Sequence, residues 1–104
     1  MSNQNSDFEF KALKMLEDNP NLTQREISKE LGISLGKTHY ILKALINRGL
    51  LTLERFKTSE NKISYLYLLT PKGIAEKSSL AQDFLDRKQK EFERLKSEIE
   101  EMTQ

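Results

Sequence analysis

The apolar and polar positions of this chain alternate in a way that predicts helices, then a pair of strands, then one long helix. Phe10, Leu13 and Leu16 recur at helical spacing. Ser6 and Glu9 precede them as a capping box that would start the helix, and Asn19-Pro20 stops it, because proline disfavours helical geometry in the residue before it. A second box, Thr23 with Glu26, opens the next helix, whose Ile27 and Leu31 fall on one face. Gly32 can take the left-handed conformation that leaves a helix, and Ser34 can cap a third one. In that third helix Ile33, Thr38, Leu42 and Leu45 face the core. Leu35, Gly36, Lys37, His39, Tyr40, Lys43 and Asn47 remain outside, with Tyr40 equally able to lie half-buried against Leu35. Gly49 closes the helix.

Beyond Gly49 the pattern changes. Two apolar-rich runs, Leu51 to Lys57 and Ile63 to Leu69, flank the polar stretch Thr58-Ser59-Glu60-Asn61-Lys62, which predicts a hairpin. Ile63, Tyr65, Tyr67 and Leu69 share one face, yet Leu66 and Leu68 load the other. Near the end of the strand both faces should therefore be covered, one by the core and one by the last helix. Thr70-Pro71 restarts a helix, with threonine as N-cap and proline at the first helical position. A helix of about 30 residues from there would be roughly 45 Å long. The preceding part should form a globule with a radius of gyration of only about 11 Å, so this helix must project from it.

The projecting helix carries Ala81, Leu85, Lys88, Phe92, Leu95, Ile99 and Met102 at alternating steps of three and four, a heptad seam. Burying its large apolar side chains would contribute roughly 7–15 kcal/mol before ordering costs. Nothing else in the chain is free to cover them, so the same helix of a second copy is expected there, in a homodimer. Lys88 either sets the register of that seam or carries its ammonium out to water. The expected organisation is a disordered tail over residues 1–6, a domain of three helices and a hairpin over 7–70 and a dimerisation helix over 71–104.

With 104 residues and 37% hydrophobic content, one small domain is expected. Its net charge of +1 is unevenly spread. Residues 1–33 carry −2, and residues 34–62 carry +4, from Lys37, Lys43, Arg48, Arg55, Lys57 and Lys62 against Glu54 and Glu60. Residues 63–75 add +1 and residues 76–104 carry −2. The positive excess thus falls on the third helix and the hairpin. The absence of cysteine excludes a thiol redox sensor, a disulfide framework and a thiolate metal site, and a single histidine argues against a histidine metal cluster. No cofactor or metal is expected. No apolar run is long enough to span a bilayer, and residues 1–6 lack the features of a signal peptide, so the cytoplasm is the expected compartment.

Two helices joined by the tight turn at Gly32 make a helix–turn–helix, which presents its second helix to a DNA major groove. On that helix Gly36 permits close approach, and Lys37 and Lys43 can donate to guanine or phosphate. His39 and Tyr40 can hydrogen-bond or pack on a thymine methyl. Thr23 and Ser34 sit at helix N-termini suited to phosphate. Arg55, Lys57 and Lys62, with Thr58, Ser59 and Asn61 at the tip, would make the hairpin a second contact. No catalytic triad, paired carboxylates or phosphate loop stands out, so an enzyme is not expected.

The element order, with Leu45-Ile46-Asn47-Arg48-Gly49-Leu50-Leu51 closing the third helix and Leu68-Leu69-Thr70-Pro71-Lys72-Gly73 closing the hairpin, resembles the MarR-type winged helix–turn–helix regulators over about residues 8–100. It looks most like their short branch associated with extracellular polysaccharide gene clusters. The resemblance implies a mainly α fold with a β-hairpin wing and a long C-terminal coiled-coil helix. It also implies a dimeric, sequence-specific transcriptional regulator bound to a pseudo-palindromic operator and controlling polysaccharide genes. Asn61-Lys62-Ile63 stands where larger members carry an acid-x-Arg wing motif, leaving Arg55 or Lys62 as substitutes. Their multi-helix dimer domain, with its phenolic-ligand pocket, has no counterpart here, which argues against a small-molecule effector. Their redox cysteine is absent too. The alternative reading is a winged helix used as a protein-interaction module, with the long helix pairing with a different partner.

Overall fold

A computed structural model describes residues 3–103. Its elements are α1 (Asn3–Asp18), α2 (Gln24–Leu31), α3 (Leu35–Asn47), β1 (Leu51–Lys57), β2 (Ile63–Leu69) and α4 (Pro71–Met102). Helix α1 begins at Asn3, so Ser6 lies inside the helix and does not cap it. The early turns are held instead by tertiary ion pairs, Asp7 with Arg87 of α4 and Glu9 with Arg48 at the end of α3. Met1 and Ser2 of the expected disordered tail, and Gln104, lie outside the described residues.

The other start and stop signals act locally as their chemistry requires. Thr23 accepts from the Glu26 backbone N–H at 3.1 Å, while the Glu26 carboxylate accepts from the Thr23 N–H at 3.0 Å. The Thr23 backbone N–H first, and its hydroxyl second, hold the Glu26 carboxyl below its ordinary pKa, because donors aimed at the carboxylate favour its ionised form. Gly32 leaves α2 at φ 68°, a conformation that glycine adopts without steric cost. Ser34 caps α3 by accepting from the Lys37 N–H.

Three helices close over one apolar core. Ala12, Leu13 and Leu16 from α1 meet Ile27 from α2 and Ile41, Leu42 and Leu45 from α3, with Leu50, Leu51, Tyr67 and Leu80 completing it. Ile33 packs at its edge, and Ile41 joins the inward row of α3. Each large side chain so buried contributes about 1.5–3 kcal/mol. The Thr38 hydroxyl, also buried, donates to the Ser34 carbonyl and costs the core no unpaired polar group.

The strands pair antiparallel in the register Leu51↔Leu69 to Lys57↔Ile63. Leu51, Tyr67 and Leu69 turn their shared face to the core, and the Tyr67 N–H donates to the Pro20 carbonyl between α1 and α2. The opposite face is not covered as expected: Leu66 is half-buried and Leu68 exposed. Helix α4 leaves the hairpin at Thr70 and runs along α1, where Phe84 packs on Phe10 with ring centroids 5.5 Å apart. Lys77 pairs there with Glu17.

One junction fixes that direction. The Thr70 hydroxyl donates to the Gly49 carbonyl at 2.6 Å and accepts from the Gly73 N–H at 3.0 Å, while the Thr70 N–H donates to the Leu50 carbonyl. The first turn of α4 is thereby drawn so close that a Cβ on Gly73 would stand 2.0 Å from the Leu50 oxygen. The 32-residue helix then extends well past its domain, giving a molecule 68 × 26 × 23 Å. Gly73→Ala is expected to destabilise the protein by at least about 2 kcal/mol, since the atom it meets is backbone; urea unfolding measures this.

Candidate nucleic-acid interface

The solvent face of α3 presents Leu35, Gly36, His39, Tyr40, Lys43 and Asn47 together, as the helical spacing requires. Tyr40 is 70% exposed, which overturns the alternative of a ring half-buried against Leu35. Lys37 is half-buried, and its ammonium lies 4.7 Å from the centroid of the Phe8 ring on α1, a cation–π contact that the sequence did not reveal. Lys43 enters no ion pair among the described residues.

A hydrogen-bonded bridge joins this face to the wing. The Gln24 amide nitrogen lies 3.3 Å from His39 Nδ1 and 3.0 Å from the Tyr67 hydroxyl. An amide N–H can only donate, so Nδ1 accepts and a neutral His39 carries its proton on Nε2. The imidazole thus offers a donor on its other side while α2, α3 and β2 are tied together. Gln24 was missed because a glutamine beside a helix cap has no sequence signature separating it from a solvated residue.

Thr23 and Ser34 are exposed at the starts of α2 and α3, each using its side-chain oxygen as an acceptor for the cap. The Ser34 hydroxyl proton can still be donated to an anion, whereas the Thr23 hydroxyl also faces the Glu26 carboxylate. Between the N-terminal end of α2 and the hairpin lies an open cleft of about 640 Å³, lined by Leu22, Gln24, Leu53, Ile63 and Tyr65 among others.

At the hairpin tip the Thr58 N–H donates to the Lys62 carbonyl, and Thr58 Oγ1 accepts from the Lys62 N–H at 3.3 Å. Asn61 holds φ 63°, so its place in the tip is explained by turn geometry. Thr58 is half-buried within this turn, while Ser59 and Lys62 are exposed, with Lys62 3.7 Å from Glu60. Arg55 and Lys57 lie exposed on β1, opposite Tyr65 and Ile63, and make no ion pair among the described residues. Arg48 is different. Its guanidinium lies 2.9 Å from Glu9 and 3.7 Å from Glu76, so its charge ties α3 to α1 and α4 and does not add to the basic face.

Residues 6–52 match the family model of winged helix–turn–helix DNA-binding segments. Among solved structures, similarity runs to Staphylococcus aureus MarR in complex with salicylate and kanamycin, at 24% identity and TM-score 0.60 over 83% of this chain and 56% of that one. The S. aureus MepR–DNA complex matches at 20% identity and TM-score 0.63, over 98% of this chain and 76% of that one. The protein has the MarR-type winged helix–turn–helix fold. The transcriptional repressor CouR, bound to a 23-mer DNA duplex, is similar at 27% identity and TM-score 0.56, covering 91% of this chain and 72% of its own. No curated protein sequence matches the chain significantly. The chain spans 56% of the length of S. aureus MarR, and its helices α2 and α3 with the hairpin form the winged unit.

Gln24→Leu should remove the nitrogen tautomer preference of His39, read from imidazole ¹⁵N shifts. It should also lower stability by about 1 kcal/mol through the lost hydrogen bond to Tyr67.

Proposed function

We propose that this protein is a homodimeric, sequence-specific DNA-binding transcriptional regulator. In this reading α3 enters the major groove and the hairpin acts as a wing on the backbone or minor groove. The observation that carries it is the solvent face of α3. Lys43, His39 and Tyr40 project from it beside Gly36, and the face belongs to the second helix of a winged helix–turn–helix. Lys43 and Tyr40 are free to reach base edges, and His39 offers its Nε2–H. Lys37 would have to leave Phe8 to reach DNA and is assigned to phosphate. Thr23 and Ser34 at the helix starts, and Arg55, Lys57, Thr58, Ser59 and Lys62 on the wing, are assigned to backbone contacts.

The DNA held by the MepR and CouR structures supports the same reading. So does the resemblance to the polysaccharide-associated branch, from which we take polysaccharide genes as the target class. The seam of α4 supplies the dimer contact, through Ala81, Leu85, Lys88, Phe92, Leu95, Ile99 and Met102. From Leu85 onward these residues are all exposed; Phe92 is 62% and Met102 82% accessible. Two-fold symmetry then calls for a pseudo-palindromic operator with half-sites about 10 bp apart.

A gel shift on DNA upstream of the protein's own gene tests the proposal. With four or five phosphate contacts per protomer, the logarithmic salt slope of binding should be about −7 to −9 per dimer. Lys43→Ala should weaken operator binding by ~1–3 kcal/mol, with relaxed specificity at one base pair if it reads a base. Unchanged affinity in both Lys37→Ala and Lys43→Ala would remove α3 as the reading element. Failure to bind any duplex at low salt would favour the protein-interaction alternative.

A further inference from the structure

The bare seam of α4 carries a direction in the charges that flank it. We infer that two copies of α4 pair in parallel, with both winged domains at the same end of the coiled coil. This deepens the homodimer reading and rests on it.

The steps of the seam assign Leu85, Phe92 and Ile99 to position a of the heptad, and Ala81, Lys88, Leu95 and Met102 to position d. Ile74, half-exposed in the first turns of α4, falls one heptad before Ala81 and extends the same line back to the domain. Among the described residues, the last ion pair along α4 that reaches another element is that of Arg87 with Asp7. From Lys88 to Thr103 every residue is exposed, so no described part of the chain covers the seam.

Positions e and g flank such a seam and decide orientation. Here the g positions hold Glu91 and Glu98, and the e positions hold Gln89, Lys96 and Thr103. In a parallel pair, g of one helix faces e of the next heptad on the other. Glu91 then meets Lys96 of the partner subunit, twice by symmetry, and Glu98 meets only the partner's Thr103. In an antiparallel pair, g faces g. Stacking the apolar layers, with Phe92 against the partner's Leu95 and Leu85 against the partner's Met102, sets Glu91 beside Glu98 of the partner subunit, again twice. One orientation gains two attractions; the other gains two repulsions and no attraction.

Lys88 raises the objection to a parallel pair, since at position d it would oppose its own copy. Its side chain answers it. Nζ lies 3.3 Å from a Glu91 carboxylate oxygen and 5.5 Å from the centroid of the Phe84 ring, so the ammonium runs off the seam to the g flank while the methylene stem stays in line. In the parallel pair Glu91 therefore stands between Lys88 of its own helix and Lys96 of the partner subunit. The orientation also keeps the winged domains side by side, as half-sites one DNA turn apart require. Antiparallel stacking would part the two helix starts by about 67 Å at 1.5 Å per residue.

The chain has no cysteine, so single thiols can be placed on the full protein. Leu85→Cys and Ile99→Cys, each alone in a glutathione redox buffer, should form disulfide-linked dimers. Silence from both, with crosslinking in a mixture of Leu85→Cys and Met102→Cys, would overturn the parallel pairing in favour of the antiparallel one. Glu91→Lys should weaken dimerisation about tenfold by turning two attractions into repulsions, and adding Lys96→Glu should restore it. A tighter dimer from Glu91→Lys would count against the parallel arrangement. Sedimentation equilibrium of the unaltered protein separates the two levels of the proposal. A monomer at micromolar concentration overturns the homodimer itself, whereas a dimer that neither thiol pattern crosslinks overturns only the parallel seam.

Discussion

The close approach of the first turn of α4 to the Leu50 carbonyl governs how the parts of this molecule stand to one another. Thr70 draws the end of α3 and the start of α4 together through one hydroxyl, donating to Gly49 and accepting from Gly73. A side chain larger than hydrogen at position 73 has no room there. Because the hairpin is anchored at the same place, through the Thr70 N–H on Leu50, a single knot sets the wing, the end of α3 and the departing rod. Core packing keeps the domain folded; this knot decides where the long helix points.

Two groups of cations differ in their partners. Arg48, Lys77 and Arg87 each lie against an acid on another element and lock α1, α3 and α4 into one body. Lys43, Arg55 and Lys57, on the side formed by α3 and the wing, make no ion pair among the described residues. Exposed ion pairs are individually weak, but three that all bridge separate elements limit the ways those elements can slide. The basic face is therefore narrower than the residue count suggests. Arg48 drops out of it, and the remaining charges cluster.

Features decided by neighbours in sequence were legible from the sequence. The Thr23 box, the Gly32 turn, the Ser34 cap, the strand boundaries and the Thr70-Pro71 restart all depend on residues within four positions of each other. Distant contacts were not. Ser6 and Glu9 have the spacing of a cap, but Glu9 is engaged by Arg48 and Asp7 by Arg87, partners far along the chain, and the helix runs on past them. Lys37 over Phe8, and Gln24 between His39 and Tyr67, joined the candidate interface for the same reason. The coverage expected over Leu66 and Leu68 failed because the route of α4 is set at Gly73, whose tight packing leaves no periodic trace.

Between Ile74 and Thr103 the rod contains neither glycine nor proline, so it has no built-in joint. Each residue of an α-helix advances the azimuth by about 100°. The angular phase of the apolar stripe relative to α3 is thus encoded simply by the number of residues separating the two. Lengthening the rod beyond Arg87 by a whole heptad would nearly preserve that phase, while one extra residue would swing the stripe by more than a quarter turn. Evolution can retune the stance of two such domains by insertion alone, without touching a side chain in either.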